Sequence, residues 1–427
     1  MMKIDRFSER FISRRFFYGW IIVLITFSTS MITAGIGGYG LSFFVIPMSE
    51  TLGISRTEFA GIAVFRLALL PVVPLLGMMV DKKHGPRVML VVGSLLAGIA
   101  LMLTAGVNSL WQFYLIHGVI FGMATMTMGG QLVGPSVVSK WFIRMRGRAM
   151  AIGTMGISAG GVMIAPLAGW LVGAFGWRAA WVVLGLVLIL VVAPMAAIFM
   201  RRSPEDVGMR PDGDEAPGGA ANPHIQRTEH SWTLRQALRS RTLWLLLAVE
   251  SLASVSLLPV LFHQVAYVQD KGFTVGTAAS VATVLAAFAL IAKLPWGFLA
   301  ERVQLRWVIP LCHIPAGLSL FVLIGAQSLP ILYLYAALHG LTMGGSPTLM
   351  NVVWASYFGR RHMGAIRGVV TPVGRVFGAF GPVFAGWAWT ADRSYGIPFL
   401  VFGITWMLAG LVMLLISAPR QQPVTKD

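Results

Sequence analysis

The sequence predicts an all-α membrane protein: twelve transmembrane helices in two pseudo-symmetric six-helix bundles. Three observations predict it. Of the 427 residues, 56% are hydrophobic and only 11% are charged, too little charge to cover a soluble chain of this length. Apolar runs of about 20 residues recur along the chain, the length that ~30 Å of hydrocarbon demands at 1.5 Å per residue. The two halves also repeat. Pro74–Arg87 (PLLGMMVDKKHGPR) and Lys293–Arg306 (KLPWGFLAERVQLR) each place a glycine four residues before an acid followed by bases, and the acids, Asp81 and Glu301, stand 220 residues apart. Phe142 and Phe358 are offset by 216, and Ala168-Gly169-Trp170 recurs as Ala385-Gly386-Trp387 at 217. Three pairs at nearly one offset indicate a six-plus-six duplication.

The spans are expected near residues 17–47, 57–79, 88–107, 110–138, 149–174 and 178–200, then 242–268, 274–300, 307–327, 329–356, 366–390 and 396–417. Residues 1–200 form the N-terminal bundle and 242–427 the C-terminal one. Between them, 201–241 is the one long polar segment, rich in Pro, Gly and charge, and reads as a cytoplasmic linker. Its His224 and His230 lack neighbouring ligands, so no metal site is expected there. A single cysteine, Cys312, excludes an intrachain disulfide. The N-terminal segment is too charged for a cleaved signal peptide, and the first helix is expected to direct insertion.

The 33 basic residues outnumber the 16 acidic ones, for a net charge of +17. By the span assignment, 26 bases lie on the side holding both termini, with Arg367 at the very start of the eleventh span counted among them, four on the other (Arg56, Arg178, Lys271, Arg393), and three deeper within spans. The positive-inside rule then places both termini in the cytoplasm, with the chain expected in a bacterial inner (plasma) membrane. The basic balance reports topology, not a nucleic-acid partner.

The in-span cations are Arg66, Lys293 and Arg375. Arg66 stands 15 residues before Asp81, or ~22 Å along a helix, too deep to snorkel. It must face a cavity or a partner, which leaves substrate, gating and structural roles open. Lys293 is eight residues before Glu301 and Arg375 eight after Arg367, so both sit ~12 Å from the same helix ends on antiparallel spans. Two cations at one depth repel unless a buried acid or an anion lies between them, and a permeating organic anion supplies that charge.

Other polar groups inside spans have two readings each. Gly35, Gly37, Gly38 and Gly40 around Tyr39, with Pro47 beyond, suit close packing and bending, while Tyr39 could donate a hydrogen bond to a ligand. Glu250 is the acid well inside a span, a proton carrier or the partner of a nearby arginine. His263 and His339 could exchange protons near neutral pH or be satisfied by carbonyls. The fourth span has His117 and a small, flexible run over 123–135.

Gly77-x-x-x-Asp81-Lys82-x-x-Gly85-x-Arg87 resembles the loop motif between spans two and three of the major facilitator superfamily. Gly85-Pro86-Arg87, Tyr18-Gly19-Trp20, Arg202-Ser203-Pro204-Glu205-Asp206 and His263 resemble its monocarboxylate-transporter-like and oxalate:formate antiporter-like branch. The resemblance covers nearly the whole chain. It implies the major facilitator fold and a secondary transporter that works by alternating access, not an enzyme and without a cofactor. In the superfamily the loop motif makes charge contacts that hold the outward-open state. The resemblance thus implies gating roles for Asp81, Arg87 and Arg148, with Glu301 and Arg302 at the repeat of that motif. It also implies carboxylate contacts at Lys293, four residues before Gly297 where monocarboxylate transporters carry an arginine, and at Arg375. Two departures stand out. Lysine lacks the bidentate fork of arginine, and no aspartate precedes it on the eighth span. Proton coupling would therefore fall to Glu250, or transport would be exchange.

The chain is thus expected to be a monomer in the lipid bilayer, moving a small mono- or dicarboxylate by symport with protons or by exchange. One rival is an exporter of drugs or amphiphiles, with the 23 methionines and aromatic walls as an adaptable pocket. Another is uptake of a larger aromatic solute or vitamin. A non-transporting sensor would need a soluble domain, and the linker is too short and polar to be one. No nucleotide-binding loop and no catalytic motif is present.

Overall fold

Hydrocarbon offers no water to backbone groups, so each apolar run closes its hydrogen bonds within a helix. A computed structural model describes residues 17–55, 58–59, 61–128, 132–214, 231–392 and 394–419. Outside the described residues lie the N-terminal basic segment, Arg56, part of the 123–135 run, Arg393, the basic tail, and the linker stretch with His224 and His230.

The described elements are all helical, and the twelve spans follow in order. The first runs Gly19–Ala34, widens into a π-helical turn at Gly35–Tyr39, and resumes over Ser42–Leu52. Gly53 closes it at φ 65°, a left-handed cap that costs glycine nothing. The second span is broken where a continuous helix was expected. It consists of Ile62–Ala68, a 3-10 turn at Leu70–Val72 and Val73–Val80. Pro71 has no N–H for the helical ladder, so Arg66 is not carried to Asp81 on one straight rod. The third span is Gly85–Thr104. The fourth joins Leu110–Phe113, a π turn at Tyr114–Ile120, Phe121–Met128 and Val133–Trp141. The fifth combines Arg146–Ala159 with a π turn at Gly160–Ile164. It continues into Ala165–Phe199, where Gly176 (φ 78°, ψ 163°) turns the chain into the sixth span.

The later spans are plainer. They comprise Arg241–Asp270, Val275–Arg302, Leu305–Gly325, Leu329–Met343 continued as Ser346–Phe358, Met363–Asp392 and Gly396–Leu414. Lys271, just past the seventh span, donates to the Ile324 and Ala326 carbonyls at 2.7 and 3.1 Å. A cation there satisfies the free carbonyls at the ninth span's C-terminus. Backbone contacts gather the chain into two units, one of residues 1–227 with 361–369 and one of residues 228–360 with 370–427. The start of the eleventh span thus clusters with the first unit.

Within each unit, glycines set helix spacing, because lipid provides no hydrophobic drive for helices to associate and close packing must do so. A Cβ on Gly98 of the third span would lie 2.7 Å from the Gly185 carbonyl oxygen of the sixth, and one on Gly185 would lie 2.6 Å from that of Gly98. The second unit repeats the device. A Cβ on Gly317 of the ninth span would lie 2.4 Å from the Gly403 oxygen of the twelfth. These glycines are offset by 219 and 218 residues, the offset of the duplicated motifs.

Gly185→Ala should therefore destabilise the fold by about 1–3 kcal/mol, as overpacking does, and lower the unfolding temperature in detergent. Gly173→Ala on the fifth span, where no atom stands within 4 Å of a Cβ, should leave it unchanged or slightly raised.

Candidate functional site

In the second unit the eighth span begins with Thr274, whose side chain accepts from the Thr277 amide. Its middle lies close to the tenth span through Gly340 and Gly344. Added Cβ atoms there would stand 2.5 Å from the Leu285 and Ala289 carbonyl oxygens. Two turns on from Ala289, the Trp296 indole donates to the Leu341 carbonyl at 2.7 Å. These contacts fix the rotation of the segment that carries Lys293, which is 4% exposed. Pro295, two residues further, cannot donate to the Ile291 carbonyl, so the helix has a polar gap beside the lysine.

Glu250 on the seventh span accepts a 2.7 Å hydrogen bond from the Trp354 indole of the tenth. A Cβ on Gly374 of the eleventh would lie 3.7 Å from its Cγ. The acid thus sits where the seventh, tenth and eleventh spans meet, and Arg375 follows directly on the glycine. The indole donor adds a partner that the sequence reading did not name. His339 is fully buried, with Nδ1 2.8 Å from Ser319 Oγ and 3.1 Å from the Ala316 carbonyl and its ring stacked on Tyr335. Those contacts are the structural alternative weighed for it. The His263 ring lies 5.2 Å from that of Tyr395.

In the first unit Arg66 and Tyr39 both border the π turn Gly35–Tyr39. Arg66 Nη1 reaches the Gly37 carbonyl at 3.4 Å, and its Cζ stands 5.7 Å from the centre of the Phe121 ring. Tyr39 is 46% exposed, and its ring lies about 3.2 Å from where a Cβ on Gly161 would be. His117, on the π turn of the fourth span, is fully buried among Phe113, Phe121 and Trp181. Sequence reasoning noted this histidine but gave it no role.

Asp81 is the hub of a charge cluster in the same unit. Its carboxylate takes a 2.6 Å ion pair from Lys140 and accepts from the Gly364 and Ala365 amides at 3.2 and 2.9 Å. Those amides open the eleventh-span helix, where free N–H groups favour an anion. Arg202 donates to the Asp81 carbonyl at 3.1 Å and holds Asp206 through two bonds. Gly77 is required beside it, since a Cβ there would lie 2.3 Å from the Gly364 oxygen. The sequence reading named Arg87 and Arg148 around Asp81 and missed Lys140, although Lys140 heads the basic run that ends at Arg148. Asp212 was also missed. It accepts from the Ile143, Arg144 and Met145 amides at 3.0, 2.8 and 3.1 Å, tying the linker to the start of the fifth span. Glu301 and Arg302 occupy the last turn of the eighth span, the acid half-buried and the arginine exposed.

Twelve spans in a duplicated scaffold, with cations buried in both units, define a multi-pass membrane transporter. Residues 23–267 and 251–427 match the Major Facilitator Superfamily model, and the chain belongs to that family; it is a transporter and not an enzyme. It is 26% identical over 419 residues to monocarboxylate transporter 12 of Rattus norvegicus, covering 93% of this chain and 85% of that protein. Identity to monocarboxylate transporter 13 of Rattus norvegicus is also 26%, over 403 residues, with 92% and 87% covered. The fold is similar to that of the transporter FucP, solved in an outward conformation, at a TM-score of 0.68 and 12% identity, covering 93% and 99% of the two chains. Within that superfamily, the chain is similar to monocarboxylate transporters over nearly its whole length.

Asp81→Ala would leave Lys140, 4% exposed at its side chain, as a buried charge without its carboxylate. The expected cost is about 3–5 kcal/mol, read as a lower unfolding temperature. Adding Lys140→Met should recover most of it.

Proposed function

We propose that this protein carries small organic anions, mono- or dicarboxylates, across the inner (plasma) membrane by alternating access, with both termini in the cytoplasm. The observation that carries the proposal is Lys293, a cation 4% exposed in the middle of an apolar span. A cation at that depth attracts a carboxylate that enters the span. The curated relatives named monocarboxylate transporters support the same substrate class, and the charge asymmetry of the loops supports the topology.

In this proposal Lys293 and Arg375 anchor the carboxylate, Tyr39 and the apolar walls select its size, and Glu250, with Trp354 as its donor, is the proton-coupling group. His263 is a second candidate for coupling, and His339 a weaker one because Ser319 and Ala316 already engage its ring. The Asp81–Lys140 cluster, with Arg87, Arg148, Glu301 and Arg302, serves the gate. No bound cofactor is needed, because an ion or solute gradient drives the cycle.

Proteoliposomes with labelled lactate, oxalate and benzoate test this directly. Wild type should show saturable uptake of one of them, and Lys293→Ala should lower it by about tenfold or more, the worth of a charged hydrogen bond. Uptake by folded protein that is indifferent to Lys293 would instead support an exporter of amphiphiles. An inward proton gradient should accelerate wild type and not Glu250→Gln if the carrier is a symporter. Equal response of the two would point to exchange.

A further inference from the structure

Arg66 stands on the short second-span piece Ile62–Ala68. Its one hydrogen bond among the described residues, from Nη1 to the Gly37 carbonyl, is long at 3.4 Å. Nε and Nη2 are buried and have no hydrogen-bond partner among the described residues. These two nitrogens form one edge of the guanidinium, with N–H bonds nearly parallel and spaced to meet both oxygens of a carboxylate. The remaining nitrogen, Nη1, is the one tied to the protein.

The surroundings hold this edge in place without satisfying it. Gly118 and Gly122, one turn apart on the fourth span, admit the second span. Added Cβ atoms would lie 3.2 Å from Phe65 Cβ and 3.3 Å from Arg66 Cγ. Phe121, between those glycines, has the guanidinium on one contact and the His117 ring, 4.7 Å away, on another. Both ring nitrogens of His117 are likewise buried without a partner among the described residues. Four orphaned polar atoms therefore flank one phenyl ring. Unpaired buried donors are costly, and a charged one most of all.

We infer that the first unit holds a carboxylate subsite of its own, in which the Nε and Nη2 edge of Arg66 takes one carboxylate group side-on, with Phe121 against its carbon body. The inference rests on the carboxylate transport proposed above and adds a contact in the unit to which Lys293 does not belong. The fork distinguishes it from a simple positive patch. Two parallel donors match a planar carboxylate, and neither a halide nor an amide reproduces that pairing. A carboxylate on that edge leaves the 3.4 Å contact of Nη1 with the Gly37 carbonyl in place. That carbonyl lies in a π turn, a weakly regular stretch of helix.

Thermal unfolding of purified protein, with and without lactate, oxalate or benzoate, tests the subsite using Arg66→Lys and Arg66→Met. Arg66→Met removes a buried charge, so in the absence of ligand it should unfold at or above the wild-type temperature. It should also lose the stabilisation that the bound carboxylate gives wild type. Arg66→Lys, which keeps the charge and loses the fork, should weaken carboxylate affinity by about tenfold or more. Lactamide should stabilise none of the three. A ligand-free Arg66→Met that unfolds well below wild type would make Arg66 a structural group and overturn the inference. Unchanged carboxylate affinity in either variant would overturn it too, while leaving the proposed transport intact. Failure of every carboxylate to bind wild type would overturn both.

Discussion

A cation held in hydrocarbon without water is the constraint on which the functional architecture depends. Insertion scales put its cost at about 3 kcal/mol at the centre of a span, and isolated-helix estimates are several times larger. Such a charge persists where something compensates it. Asp81 shows a fully compensated case, in which Lys140, two helix-opening amides and Arg202 surround one acidic residue. Arg66 shows the opposite, with one long hydrogen bond and two buried nitrogens without a partner among the described residues. The first is what a latch needs, a closed set of contacts that breaks as a whole. The second is what a binding group needs, since only an unfilled valence can reward a ligand.

The scaffold around these groups is built by backbone proximity more than by side-chain volume. Gly98 with Gly185 and Gly317 with Gly403 bring the third and sixth, and the ninth and twelfth, helices to the same close approach. Duplication therefore extends from the loop motifs to the contacts that set helix spacing. Departures from the repeat coincide with the residues proposed to bind substrate. Among the described residues, the three π turns all fall in the first unit, at Gly35–Tyr39, Tyr114–Ile120 and Gly160–Ile164. Two of them border Arg66 or carry His117. Lys293 is a departure of another kind, because the equivalent position of the first copy is Val73.

The order of the spans, the duplication and the in-span charges were legible in the sequence, because each is written in composition or spacing. The local breaks were not. A π turn changes the hydrogen-bond register by one residue and leaves no periodic mark in a run that is apolar on all sides. The interruption after Arg66 did have a signal in Pro71, which removes a helical donor. The partners were the least legible part. Lys140 reaches Asp81 across 59 positions and Trp354 reaches Glu250 across 104, and nothing in either local sequence specifies those distances. For Arg66, Gly118 and Gly122 at helical spacing beside His117 were a visible hint that the fourth span admits a close neighbour.

The most direct measurement is to locate a bound carboxylate. Crystals or single particles of the protein would be prepared with methylselenoacetate, a small unreactive carboxylate whose selenium marks its position by anomalous scattering in the crystal. The expected result is a carboxylate within hydrogen-bond distance of Lys293 Nζ, with the selenium over apolar side chains. A carboxylate ordered elsewhere while Lys293 Nζ bonds only to protein would contradict Lys293 as the anchor of transport.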